Sequence, residues 1–72
     1  MEVYNLSEAH DSKPGIIFYV LNAMMDCDLP SNKKNMYLND MDKFSTLDDV
    51  RKISQIYIDL CNDIINELYQ EE

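Results

Sequence analysis

From Ser45 to its last residue the chain has no glycine and no proline, and apolar side chains recur through that stretch at steps of three and four. Leu47, Val50, Ile53, Tyr57, Leu60, Cys61, Ile64, Ile65 and Leu68 fall within an arc of about 140° when placed at about 100° per residue. Ile56, Ile58 and Tyr69 widen the arc to roughly 220°. Lys52, Gln55, Asp59, Asn62, Asp63, Asn66 and Gln70 lie opposite. That period belongs to an α-helix, so the sequence predicts one long C-terminal helix. Ser45 or Thr46 supplies its N-cap, and Asp48 and Asp49 complement the helix dipole in the first turn. A helix resting on one layer needs an apolar face of about 100°. The surplus predicts neighbours on two sides, or a surface kept for another chain.

The remaining breakers are Pro14, Gly15 and Pro30. Residues 14–28 include Ile16, Ile17, Phe18, Tyr19, Val20 and Leu21, which alone would also suit a buried strand. Apolar character continues through Ala23, Met24 and Met25, residues that favour helix, so a second main helix is expected. Ser12 or Asp11 caps it, with Pro14 in the first turn, where a missing N–H is harmless. Its only polar positions, Asn22 and Asp26, cluster on one side, which predicts a helix central to the core or to an interface. Leu29 to Lys34 reads as a turn. Tyr37, Met41 and Phe44 share a face of a short helix near residues 35–43. Residues 1–13 form an N-terminal arm. The expected fold is a single all-α domain over residues 1–72, a small bundle of two main helices and a short one. The competing fold is α+β, with a hairpin of residues 2–6 and 16–21 packed on the long helix.

A chain of 72 residues buries only about 60% of the surface its unfolded form exposes, so its core is marginal without help. Disulfides are not expected to supply that help. Cys27 and Cys61 are far apart, no secretory signal precedes them, and a cytoplasmic address is the expectation. Both are read as buried thiols acting as small hydrophobes. No run approaches the ~18 apolar residues of a membrane span, so no membrane partner is expected. Fourteen acids against six bases give a net charge of -8, which argues against direct contact with nucleic acid or an anionic membrane and for a protein partner with a basic surface.

No catalytic residue is expected. His10 is the sole histidine and stands in a polar stretch away from both cysteines. Asp26-Cys27-Asp28 and Asp40-Met41-Asp42 start like calcium loops, but the sixth positions are Ser31 and Ser45, not glycine. Two cysteines and one histidine fit no zinc spacing, so no metal is expected. One glycine cannot make a phosphate loop, and no cofactor is expected.

Asp59, Asp63, Glu67 and Glu71 recur every four residues and form a row along one slowly turning face, with steps of ~6 Å. Each like-charge pair at that spacing costs a helix roughly 0.2–0.5 kcal/mol. Acids in a last turn also oppose the dipole. A basic partner would account for the row, with Tyr57 or Tyr69 beside it as an aromatic anchor. Mimicry of nucleic acid is a stronger form of the same idea. The row is sparse for it, since duplex DNA carries about one charge per 1.7 Å, and Asp40, Asp42, Asp48 and Asp49 would have to join it. In size and charge alone the chain resembles the small acidic inhibitors that phages and mobile elements direct against nucleases and polymerases. Two functions are therefore expected in order: a non-enzymatic acidic module that docks on a basic, nucleic-acid-handling protein, and a self-associating assembly component, with a homodimer formed through the apolar helix arc.

Overall fold

A computed structural model describes residues 3–68 as a three-helix bundle with an N-terminal arm folded across it. A short 3-10 turn, Leu6–Glu8, precedes α1 (Lys13–Asp26), α2 (Ser31–Lys43) and α3 (Leu47–Leu68). Among the described residues there is no strand. Residues 16–21 are helical, so the competing hairpin is not formed.

Local chemistry sets most boundaries. The Ser12 side chain accepts from the Gly15 N–H at 3.1 Å and caps α1, with Pro14 in the first turn. Gly15 is required by close approach: a Cβ there would sit 2.5 Å from the His10 Cβ and 2.8 Å from the Ser12 Oγ. At the other end, the Leu29 N–H donates to the Met24 carbonyl and the Asp28 N–H to the Met25 carbonyl. This is a Schellman ending, and Asp28 holds its left-handed residue at φ 61°. Thr46 caps α3, its Oγ1 accepting from the Asp49 N–H at 3.3 Å.

Helix α2 begins at Ser31, so the turn predicted through Lys34 shrinks to Asp28, Leu29 and Pro30. Pro30 stands at the N-cap with ψ 146° and offers no side-chain bond. Its fixed φ nonetheless aligns the chain, and the Lys34 N–H donates to its carbonyl at 3.0 Å.

The core gathers Ile16, Val20, Ala23, Met24 and Cys27 of α1, Met41 of α2, and Val50, Tyr57, Ile58, Cys61 and Ile65 of α3, closed by Leu6 of the arm. Ser54 is also fully buried and donates to the Met41 sulfur at 3.2 Å. Each helix is covered on one side only. Of the two places expected for α1, one central to the core is excluded, because Phe18 and Met25 remain 64% and 59% exposed. Three short helices and an arm provide too few neighbours to enclose it.

Asn62, expected on the polar side, is buried instead. Its Oδ1 accepts from the Val3 and Tyr4 N–H groups at 3.2 and 2.8 Å, and its Nδ2 donates to the Tyr4 carbonyl at 2.8 Å. The side-chain amide thus pairs with the arm as a strand's peptide group would. Tyr4 packs its ring edge-on against Tyr19 of α1, centroids 5.6 Å apart, and its hydroxyl donates to Asp26. The arm is held further by the Arg51–Asp11 ion pair. Among the described residues no helix is long and apolar enough to cross a membrane.

Candidate partner-binding face of α3

The buried side of α3 runs through Val50, Ser54, Tyr57, Ile58, Cys61, Asn62 and Ile65. Advancing about 100° per residue, these positions fill an arc of about 140°. Rotated from the centre of that arc by roughly a third of a turn lies a second stripe: Ile53, Ile56, Leu60 and Ile64. Ile56 is 61% exposed and Leu60 38%, while Ile53 and Ile64 are half-buried at its inner edge. The wide apolar arc is therefore two surfaces, one inside the bundle and one outside it.

Acids border the outer stripe. Asp59, Asp63 and Glu67 are all exposed, and the same geometry places Asp49 near the other end. Asp59 is oriented by the Gln55 amide, which donates to its Oδ1 at 2.9 Å. Of the two bases of α3, Lys52 is exposed and Arg51 turns to Asp11. The result is an apolar centre with an acidic rim. Tyr69 and Glu71 lie outside the described residues.

Tyr57 cannot serve as an anchor. It sits on the buried stripe, stacked on Tyr37 with centroids 4.4 Å apart, and its hydroxyl donates to the Asp40 carboxylate at 3.5 Å. Burial, then the nearby Asp40 charge, raises its pKa above the ordinary phenol value. The missed signal is its spacing: Val50, Tyr57 and Cys61 step by seven and four, near the middle of the apolar arc that the sequence traces.

Asp40 and Asp42, on α2, are engaged elsewhere. Asp40 also pairs with Lys43, and Asp42 with Lys13 across to α1, both at 3.7 Å. No protein-family model, curated protein or solved structure matches this chain.

The other candidate chemistry is placed elsewhere. His10 lines a shallow groove of about 430 Å³ with Glu8, Ser12, Tyr19 and Asn22, and neither thiol is among its walls. Cys27 and Cys61 are free and buried. They meet where the end of α1 packs on α3. Burial, helped by a hydrogen bond with Cys27, pushes the Cys61 thiol up to about 12. A thiol held so firmly protonated is a poor nucleophile. Among the described residues no group of three His, Cys, Asp or Glu side chains converges on a metal-sized space.

Proposed function

We propose that this protein is a non-enzymatic binding module that docks on a basic protein surface through the outer face of α3. The reading rests on one observation: Ile56 and Leu60 are exposed on α3 and bordered by Asp59, Asp63 and Glu67. Interfaces draw affinity from a desolvated apolar centre and selectivity from a charged rim. The acid row destabilises an isolated helix by a few tenths of a kcal/mol per pair, and a cationic partner offsets that cost. Pairing two copies through this same face would set two acid rows against each other, so the face suits a partner of opposite charge.

The size and charge of the chain favour a partner that handles nucleic acid, whose own groove is basic. Docking there would occlude the groove, which is the action of an inhibitor. Four-residue spacing makes the row too sparse to copy a phosphate backbone charge for charge. Recognition would rest on the helix face as a whole.

The test is binding to a panel of basic nucleic-acid-handling proteins at about 50 mM and at about 500 mM salt, since screening weakens charge-driven docking. Expected is at least a tenfold loss of affinity at high salt, and loss of binding in the triple variant Asp59→Lys, Asp63→Lys, Glu67→Lys, with its helical circular dichroism unchanged. A triple variant that binds undiminished would sink the proposal.

A further inference from the structure

The fold brings together two thiols that the sequence keeps apart. Cys27 is the C-cap of α1 and Cys61 lies in the second half of α3, with all of α2 between them in the chain. Both are free, both belong to one buried cluster, and Cys61 is hydrogen-bonded to Cys27. The Cys27 S–H is directed elsewhere, donating to the Met24 carbonyl at 3.4 Å. The proton between the two sulfurs is therefore that of Cys61, aimed at the Cys27 Sγ.

We infer that Cys27 and Cys61 are the two halves of a reversible disulfide, formed when the reduced chain meets a small-molecule disulfide such as oxidised glutathione. As mere hydrophobes the two cysteines of the chain could fill core positions anywhere on the three helices, yet they share one contact. Bonding requires the sulfurs to close to ~2.05 Å. Cys27 can supply that movement. It stands outside the last turn of α1, at φ -90° and ψ 5°, and only Asp28, Leu29 and Pro30 connect it to α2. Cys61, inside a 22-residue helix, is the fixed partner.

The same placement orders the chemistry. In the closed bundle both thiols are shut away from an oxidant, and burial keeps Cys61 protonated. Fraying of the end of α1 uncovers Cys27, whose thiolate attacks the glutathione disulfide, forms a mixed disulfide and releases one glutathione thiolate. Cys61, uncovered by the same opening, loses its proton and attacks the Cys27 sulfur, expelling the second glutathione as thiolate. Two protein thiols are oxidised to one disulfide, one glutathione disulfide is reduced to two thiols, and the two protons pass to them. The product staples the end of α1 to α3 and closes a loop that holds all of α2, which helps a core this small the most.

Intact-mass measurement of the full chain in glutathione redox buffers tests this, in native buffer and in concentrated urea, starting from the reduced chain and from chain oxidised in urea and refolded. Expected in native buffer is a monomer lighter by two hydrogens, with Cys27 and Cys61 in one cross-linked pair of peptides after digestion. The glutathione ratio that half-oxidises the pair should be more reducing in native buffer than in urea by about thirtyfold or more. The oxidised chain should melt about 10 °C or more above the reduced one, and dithiothreitol should reverse the shift. A native chain that ends as a glutathione adduct, a disulfide-linked dimer or an unreacted dithiol would overturn the inference. So would a half-oxidation ratio equal to that in urea, or an oxidised chain that melts at or below the reduced one.

Discussion

Helices α1 and α3 both carry more apolar surface than the bundle covers, but they are finished differently. The outer seam of α1, through Phe18 and Met25, is uncharged along its length, whereas the outer stripe of α3 is edged by Asp59, Asp63 and Glu67. Apolar area provides the drive for association in both cases. The edging determines which surface can meet it. An acid edge favours a cationic surface over a copy of itself, and a neutral seam carries no such preference.

The comparison assumes that the outer residues do not hold up the fold, and stability measurements can break it. Ile58 is fully buried. Ile58→Ala should lose about 2–4 kcal/mol in urea unfolding, while Ile56→Ala and Phe18→Ala should each stay within about 0.5 kcal/mol of the parent. If Phe18→Ala proves as costly as Ile58→Ala, the seam of α1 belongs to the core.

A second variant removes the difference between the faces. Asp59→Asn, Asp63→Asn and Glu67→Gln together give α3 the neutral finish of α1. Expected is a loss of basic-partner affinity of at least tenfold, about 1.4 kcal/mol. Self-association through α3 should then appear in sedimentation, because the acid rows that oppose it are gone.

The contact between the two helices responds to alkali. The folded state holds Cys61 protonated to about 12, against an ordinary 9.0, so the stability this confers is complete below the unfolded value and is lost as pH rises from there towards 12. Tyr57, also raised, acts in the same direction. Unfolding free energy should fall by roughly 1 kcal/mol between pH 7 and 10, and the fall should flatten in Cys61→Ala. The smallest expected change is at the end of α1, where Asp28→Gly relieves the left-handed residue and should stabilise by about 0.5 kcal/mol in the same titrations.

The parts of the fold legible in the sequence are those fixed by local chemistry. Ser12 and Thr46 cap as their positions imply, and an unbroken three-and-four pattern makes α3. The start of α2 was hidden because Pro30 caps without a side-chain bond, leaving Ser31 and Asn32 to look like turn residues. Asn62 was hidden for a different reason. Periodicity reports that a residue is polar, while its burial depends on an arm nearly sixty positions away. The acid row of the candidate site was legible, and its apolar companion was not. One arc of apolar residues on α3 looks the same whether one neighbour covers it or two, and only packing divides Ile58 from Ile56.

The Asn62 clamp also bears on the order in which the molecule assembles. Its bonds to Val3 and Tyr4 join positions 59 and 58 apart in the chain. Closing so long a loop costs roughly 3–4 kcal/mol of chain entropy, whereas each helix forms from neighbours. The arm therefore docks after α3 is in place. Hydrogen exchange on warming should then show the Tyr4 amide opening before those of α3.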